Sequence, residues 1–315
     1  MRVLITGATG FLGSYMARHL QERGDEVIGT RYGPPRGRAL PLVPGVTYET
    51  LDVRDPAAVL RLVRRVAPEE VYHFAGQAYV MTSWEDPRLT YETNLGGTLN
   101  LLEAVRVSGL TPCVGFAGSG TEYGVAERVP TPEDAALAPE SPYSLSKVAA
   151  DHLCRLYFER YGERLFRFRI FTTTGPGKVG DSSNDFASQV ATIERTGRPG
   201  TLKVGNLDAR RDISDVRDAV RAMCTVLAKG APGAAYNVAR GEVLAIRENV
   251  ERLVGMATVP IRVEVVEERR RPLDEPVSWA DVSKLRALGW APEYSFTDTL
   301  KDILDHWRRK AAASG

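Results

Sequence analysis

The sequence predicts an α/β fold in which helices cover both faces of a parallel sheet. Two observations favour it. Short apolar runs, rich in β-branched residues, alternate along the chain with segments of helical periodicity. The apolar runs are nearly continuous, which is typical of parallel strands buried on both faces. With 315 residues, 43% of them hydrophobic, the chain can bury a large core. We therefore predict a doubly wound parallel sheet joined to a smaller mixed α/β unit.

The first half of the chain supplies this alternation. Arg2–Thr6 is a β-branched run that ends in glycines, and a helical pattern follows over Phe11–Arg23. Glu26–Arg31 is again strand-like, whereas Tyr32–Pro44 is rich in Gly, Pro and Arg and indicates a loop. Later strands are predicted at Val46–Leu51, Glu70–Phe74, Cys113–Ala117 and Arg164–Phe171, and helices at Pro56–Val66, Leu89–Ser108 and from about Tyr143 to Tyr161.

The pattern changes after Phe171. Thr172–Arg211 is rich in Gly, Pro and Asp, with one helical piece at Asp185–Arg195. The helix Asp215–Ala228 and the strand Ala235–Val238 are expected to return to the main sheet. The smaller unit takes Leu244–Gly255, Ile261–Val266, Val282–Leu288 and Phe296–Trp307. We thus expect a nucleotide-binding domain from residues 1–171 and 213–240, and a substrate domain from residues 172–212 and 241–315.

Composition excludes several classes of function. Forty-one basic and forty acidic residues leave a net charge of +1, so no overall field favours nucleic acid or a membrane surface. No stretch has the length of a membrane span or the pattern of a signal peptide. Cys113, Cys154 and Cys224 are far apart, and the four histidines show no metal-ligand spacing. We expect a cytoplasmic protein without a metal site.

A glycine-rich turn follows the first predicted strand and opens the first helix. Its spacing is Gly7-x-x-Gly10-x-x-Gly13. Glycines permit a tight turn and close backbone approach to a pyrophosphate, and the helix N-terminus faces that anion. The turn therefore predicts a dinucleotide site in a Rossmann-type domain. The predicted contacts of this segment are Gly7, Thr9, Gly10, Phe11, Leu12 and Gly13.

The end of the second strand bears on the choice of dinucleotide. An acidic residue at this point usually binds the adenosine ribose of NAD, but the strand ends Gly29-Thr30-Arg31. Arg31 is suited to a 2′-phosphate, which favours NADP(H), with NAD(H) as the alternative. Asp52, after the third strand, is a candidate contact for the adenine amine.

Tyr143 and Lys147 are four residues apart in Ser-Pro-Tyr-Ser-Leu-Ser-Lys and share one helix face. A free tyrosine has a pKa of about 10. A nearby ammonium favours the phenolate and lowers that pKa, so the pair predicts an acid/base device.

These motifs together resemble the extended short-chain dehydrogenase/reductases, and more closely their sugar-nucleotide branch. The resemblance also rests on His73-Phe-Ala-Gly-Gln77, Asn94-Leu-Gly-Gly-Thr98 and Ser119-Gly-Thr-Glu-Tyr123-Gly. It implies that Ser119, Tyr143 and Lys147 are catalytic, and that the last two also contact the cofactor. It further implies cofactor contacts at Val53, Phe74, Ala75 and Gly76. A homodimer formed through the Tyr143 helix is expected from the resemblance alone.

Within that branch the chain is most similar to the GDP-mannose group, which contains a 4,6-dehydratase and a GDP-4-dehydro-6-deoxy-D-mannose reductase. Thr174-Gly-Pro-Gly177, the segment from Gly205 to Asp218 and Arg271-Pro272 carry this similarity. It implies that Arg211 and Arg271 bind the diphosphate of a nucleotide sugar and that Asn206 shapes the nucleotide pocket.

Two positions depart from the family pattern. Thr172 stands where the family usually has Asn, and Thr121 stands where dehydratases have the Glu that eliminates water; Glu122 is one residue further on. Both threonines are kept as candidate substrate contacts. The expected activity is NAD(P)H-dependent reduction of the C4 ketone of a GDP-linked 4-keto-6-deoxy sugar. The alternatives are an epimerase or dehydratase that recycles its own cofactor and, more remotely, a non-catalytic nucleotide-sensing scaffold.

Overall fold

A computed structural model describes residues 1–33, 40–269 and 276–313. Within these ranges, seven parallel strands form the main sheet. The strands are β1 (Arg2–Thr6), β2 (Glu26–Arg31), β3 (Thr47–Thr50), β4 (Glu70–His73), β5 (Cys113–Ser119), β6 (Arg164–Ile170) and β10 (Ala235–Val238). Their order in the sheet is β10-β6-β5-β4-β1-β2-β3. The predicted doubly wound α/β sheet is confirmed.

Helices cover both faces of this sheet. On one face, α1 (Phe11–Glu22) and α8 (Val216–Lys229) join a core cluster that contains Met16, Phe168 and Met223. On the other face, α2 (Pro56–Val66), α5 (Gly97–Ser108) and α6 (Pro142–Tyr161) pack against Val71 and Phe116. Burial on both faces is why the inner strands read as continuous apolar runs.

The order of the strands places a crevice at one edge of the sheet. The chain runs outward from β1 to β2 and β3, and then returns to β4 on the other side of β1. The carboxyl ends of parallel strands at such a reversal form a ligand-binding crevice. The glycine turn after β1, the Phe74–Gly76 segment after β4 and Ser119 at the end of β5 therefore all lie at this edge.

A second lobe closes the crevice. Its strands are β7 (Thr172–Thr174), β9 (Arg210–Asp215), β11 (Val243–Ala245) and β13 (Val277–Ser278) in one sheet, and β8 (Gly200–Val204) with β12 (Ile261–Val265) in another. Around them pack α7 (Ser182–Arg195), α9 (Ile246–Gly255) and α11 (Phe296–Ala313). The short α10 (Ser283–Arg286) instead lies against β10 of the main sheet, and its Leu285 belongs to the core cluster that contains Met16. Phe186, Leu202, Leu253 and Leu300 belong to the core of this lobe.

The structure corrects one predicted helix. The segment predicted as one helix over Leu89–Ser108 is α4 (Pro87–Tyr91), a π-helical turn (Glu92–Gly96) and α5, preceded by the short α3 (Val80–Glu85). The wider turn carries Asn94, whose amide bonds the backbone of Gln77 through both its oxygen (2.7 Å) and its nitrogen (3.0 Å). Side-chain periodicity cannot reveal a single π-turn, because it adds one residue and the apolar pattern resumes.

Two kinds of feature are missing from the described residues. None of their helices has the length and apolar character needed to cross a membrane. They also contain no group of three or more His, Cys, Asp or Glu side chains arranged to hold a metal ion.

Candidate active site

A cleft of about 890 Å³ lies between the sheet edge and the second lobe. Most of the candidate residues line it. These are Gly7, Gly10, Phe11, Leu12, Gly13, Phe74, Gly76, Ser119, Tyr143, Lys147, Thr172, Asn206 and Arg211. The other candidates do not line it: they are Thr9, Arg31, Asp52, Val53, Ala75 and Thr121. Arg271 lies outside the described residues.

The glycine turn has the geometry that its sequence predicts. Gly7 has a φ of +72°, and a Cβ there would lie 2.7 Å from the backbone nitrogen of Ala75. A Cβ on Gly13 would lie 2.2 Å from the carbonyl oxygen of Gly7. Gly10 is the N-cap of α1 and brings no side chain to the helix end. The first backbone N–H groups of α1 thus face the cleft beside a tight turn, which fits a pyrophosphate.

The end of β2 extends this site beyond the cleft. Arg31 is half-buried, and its Nε has no hydrogen-bond partner within the described residues. Asp52 instead holds the Arg54 guanidinium, with an Nη2–Oδ2 distance of 2.7 Å. Its acceptor oxygens are therefore already engaged, which weakens its predicted role as an adenine contact. Val53 is buried and packs against Gly97, so its side chain positions α5.

Ser119 ends β5 and caps the 3₁₀ turn Gly120–Tyr123. Its Oγ accepts from the backbone nitrogen of Thr121 at 3.2 Å and lies 2.9 Å from Thr121 Oγ1. Only 7% of its surface is exposed, and that surface faces the cleft. The hydroxyl is thus held at the strand end, where it can donate to an oxygen atom in the cleft.

Tyr143 and Lys147 reach the same place from the first turns of α6. The helix begins there because Ser141 and Ser144 form reciprocal cap hydrogen bonds and Pro142 occupies the first turn. Lys147 is buried, and its Nζ donates to the carbonyl oxygen of Ala117 at 2.8 Å. That Nζ lies 6.0 Å from the centroid of the Tyr143 ring. Both side chains and Ser119 converge on the cleft.

The expected depression of the Tyr143 pKa is wrong. Burial raises the pKa of Tyr143 to about 12; the Ser119 hydroxyl opposes this rise, and the charge of Glu122 adds to it. Burial also lowers the pKa of Lys147 to about 8, with Glu122 acting against the fall. The lysine ammonium is directed at a backbone carbonyl rather than at the phenol, so desolvation dominates both groups.

Glu122 lies beneath the cleft rather than in it. Its side chain is fully buried, and Oε1 accepts from the backbone nitrogen of Ser119 at 2.7 Å. Thr121, one residue earlier, is exposed and contacts the Ser119 hydroxyl. A carboxylate positioned to eliminate water is therefore absent from this turn.

The second lobe contributes polar groups opposite the sheet edge. Thr172 opens β7, and Arg211 lies on β9, where its Nη1 donates to the carbonyl of Arg210 at 2.9 Å. Asn206 accepts from the backbone nitrogen of Asp208 at 3.0 Å. These residues line the cleft together with the apolar Ile246.

Sequence motifs missed two basic residues of the cleft. Lys178 donates to the carbonyl of Thr173, and its Nζ lies 5.5 Å from the centroid of the Phe11 ring. Arg269 pairs with Asp185 at 2.6 Å. The run of arginines at 269–271 was a compositional signal for Arg269, whereas nothing in the sequence indicated Lys178.

Comparison with known proteins gives a consistent family. A sequence model described as "GDP-mannose 4,6 dehydratase" matches residues 4–303. The chain is 33% identical to GDP-6-deoxy-D-mannose reductase of Pseudomonas aeruginosa, with 98% of each chain covered.

Solved structures extend the similarity. RMD from Pseudomonas aeruginosa complexed with NADPH superposes with a TM-score of 0.81 at 31% identity and covers 98% of this chain and all of that one. UDP-glucose 4-epimerase of Thermus thermophilus complexed with NAD gives 0.82 at 32% identity, covering 98% and 99%. Both dinucleotides occur among the similar structures.

Proposed function

The chain belongs to the GDP-mannose 4,6-dehydratase family of extended short-chain dehydrogenase/reductases, and from this premise we propose that it is a reductase. The proposed reaction is NAD(P)H-dependent reduction of the C4 ketone of a nucleotide-linked 4-keto-6-deoxy sugar, with GDP-4-dehydro-6-deoxy-D-mannose as the substrate. The similarity to the GDP-6-deoxy-D-mannose reductase supports this choice of sugar and base.

One observation carries the choice of reaction. A 4,6-dehydratase needs a carboxyl group near Ser119 to move a proton during elimination. Here that position is Thr121, and the carboxyl of Glu122 is buried against the Ser119 backbone. The turn keeps a hydroxyl for the sugar oxygen but offers no acid/base for elimination, which supports a simple reduction.

The residues of the cleft fit a nicotinamide dinucleotide. The Gly7 turn and the open end of α1 suit its pyrophosphate, and the orphaned Nε of Arg31 suits the 2′-phosphate of NADP(H). A bound reduced nicotinamide would supply the hydride. We propose NADP(H) as the preferred form, since no carboxylate ends β2 to bind a free ribose.

Three side chains would handle the proton. Tyr143 donates it to the alkoxide that develops at C4, and its high pKa keeps the phenol protonated and ready to donate. Ser119 donates a hydrogen bond to the same oxygen and stabilises its growing charge. Lys147 holds positive charge near both and would contact the cofactor ribose.

We further propose a division of labour between the lobes. Residues 1–171 and 213–240 hold the cofactor, and residues 172–212 and 241–315 hold the nucleotide sugar. Arg211 would bind the diphosphate bidentately, with Asn206 and Thr172 beside it.

A homodimer and a cytoplasmic location complete the proposal. Along two neighbouring helices, apolar side chains are left exposed by the described part of the chain: Leu99 and Val107 on α5, and Leu145 and Leu156 on α6. A second copy of the chain would cover them. Cys113, Cys154 and Cys224 are all free thiols, which fits a reducing compartment.

The test is turnover with stoichiometry. Purified protein is mixed with NADPH and GDP-4-dehydro-6-deoxy-D-mannose, and nicotinamide absorbance is followed beside product formation. We expect one NADPH oxidised per sugar reduced. In a parallel reaction GDP-mannose replaces the keto sugar, and its conversion without net change of the nicotinamide would instead identify an epimerase or dehydratase that recycles its cofactor. No oxidation of NADPH or NADH with the keto sugar refutes the reductase.

Tyr143→Phe tests the proton donor. Loss of general acid catalysis should lower kcat by about 100- to 10,000-fold. NADPH binding, measured by its fluorescence, should persist because the phenol is only one of several cofactor contacts. An unimpaired variant would refute the assigned role.

A further inference from the structure

A buried cluster of charges lies directly beneath the proposed catalytic residues. Glu122 is its nearest member to the cleft. Its Oε1 accepts from the Ser119 backbone, and a Cβ on Gly118 would lie only 2.5 Å from that oxygen. Its Oε2 has no hydrogen-bond partner among the described residues and lies 3.5 Å from Arg169 Nε. The carboxyl is therefore packed closely against the end of β5.

Charged groups face Glu122 from each neighbouring element. Arg169 approaches from β6, and Asp151 lies on α6 one turn after Lys147. Asp151 Oδ1 accepts from Arg167 at 2.6 Å and from Arg169 at 3.3 Å. The two arginines are thus shared mainly with Asp151, which leaves the charge of Glu122 incompletely compensated.

Lys147 holds the same strand end from the opposite side. Its Nζ donates to the carbonyl of Ala117, two residues before the Ser119 N–H that Glu122 binds. The other groups near Lys147 carry little charge: His73 is buried, and burial with the Lys147 charge lowers its pKa to about 3, while burial raises the pKa of the Cys154 thiol well above its ordinary range. Tyr143 is neutral for the reason given above. Glu122 is the acid whose charge does most to raise the pKa of Lys147 against burial.

We infer that Glu122 is a positioning residue of the active site: its carboxyl anchors Ser119 from below, and its buried negative charge supports the ammonium of Lys147. The inference rests on the proposed reductase function for its kinetic consequence, but its electrostatic content concerns the protein alone.

The pKa values of Glu122 and Lys147 define the pH range in which Glu122 acts on the lysine. Burial and the charge of Asp151 together raise the pKa of Glu122 to about 8, and Arg169 opposes the rise. Below this pH Glu122 is neutral and Lys147 is charged. As pH rises past about 8, Glu122 becomes anionic, and its charge opposes the burial that lowers the pKa of Lys147. Without this carboxylate, Lys147 would lose its proton at a lower pH. Glu122 therefore supports the charge of Lys147 mainly above about pH 8.

Glu122→Gln separates anchoring from charge. The amide oxygen can still accept from Ser119, whereas no anion can form. With lysine labelled by ¹³C at Cε, Lys147 is followed by NMR through its pH titration, and its signal is identified by its loss in Lys147→Met. We expect the Lys147 midpoint in Glu122→Gln to fall by about 1 pH unit. In turnover assays, the kcat of Glu122→Gln should match that of the wild type near pH 6.5. As the pH is raised, the kcat of the variant should begin to decline at a lower pH than the kcat of the wild type.

A second variant tests the sign. Asp151→Asn removes repulsion from Glu122, so Glu122 ionises earlier and the Lys147 midpoint should rise. This variant also decides the matter if Glu122→Gln does not fold. The matched control is Glu127→Gln on the exposed loop that follows, which should leave the midpoint unchanged.

The outcomes are separable. Midpoints that stay at the wild-type value in both variants overturn the inference, as does an equal loss of kcat at every pH, which is what a purely structural anchor predicts. Absence of any turnover in the wild type, together with the expected midpoint shifts, would refute the reductase function and leave the role of Glu122 standing.

Discussion

Replacing Arg31 tests the cofactor preference most directly. The side chain ends β2, is half-buried, and has a guanidinium Nε without a hydrogen-bond partner among the described residues. A 2′-phosphate placed there would receive charge-assisted hydrogen bonds, each worth about 1.5 to 3 kcal/mol. Since each 1.4 kcal/mol is a factor of ten in affinity, losing one such bond weakens NADPH binding by about 10- to 150-fold. Arg31→Ala should therefore raise KM for NADPH by that factor.

NADH is the internal reference for this variant. It lacks the 2′-phosphate, so its KM should change little in Arg31→Ala. The KM of the wild type for NADPH should also rise with ionic strength more steeply than that of the variant, because salt screens the exposed part of the ion pair. Thermal stability should not fall, since the substitution removes a buried donor that has no partner among the described residues.

Arg61→Ala, on an exposed position of α2, controls for the loss of one positive charge. A parallel rise of KM for NADPH and NADH in Arg31→Ala would show a structural defect rather than a lost phosphate contact. An unchanged KM for NADPH would refute the assignment of Arg31.

Two further predictions concern the hydroxyl in the cleft and the exposed helix face. Ser119→Ala should lower kcat by about 100- to 1,000-fold with little change in KM, because the hydroxyl stabilises charge that develops in the transition state. Loss of the hydrogen bond from the Thr121 backbone to this hydroxyl should lower the free energy of unfolding by about 1 kcal/mol. Full activity of the variant would contradict the role of Ser119. Leu156→Asp should shift the protein from dimer to monomer in sedimentation, because it puts a charge on the apolar surface at a residue that is 52% exposed in the single chain. An unchanged mass would contradict the proposed interface.

The fold was largely predictable because burial leaves a direct record in sequence. Strands such as Cys113–Ala117 lie within a sheet covered on both faces, so every side chain is apolar or small. The second lobe was harder to predict. Its strands are short, and β9 pairs with β7, β11 and β13, whose partners lie far along the chain. No local period records such pairing.

The candidate site was likewise predictable from the sequence only in part. Gly7 and Gly13 were predictable because only glycine fits where the backbone approaches so closely. The behaviour of Tyr143 was not, because spacing places it near Lys147 but says nothing of solvent. Burial then outweighs the neighbouring charge and raises the pKa that the motif alone suggested would fall.

The turn after β5 shows how one offset residue can select a reaction. The capping box between Ser119 and Glu122 directs the third residue of the turn inward, so the carboxyl satisfies a backbone donor and enters the buried charge cluster. The residue before it, Thr121, is directed toward solvent beside the Ser119 hydroxyl. A carboxyl in that outer position could exchange protons with a substrate, whereas the same carboxyl one residue later can only adjust the charge beneath it. The position of the glutamate in the turn, rather than its presence, therefore separates a site built for elimination from one built for reduction.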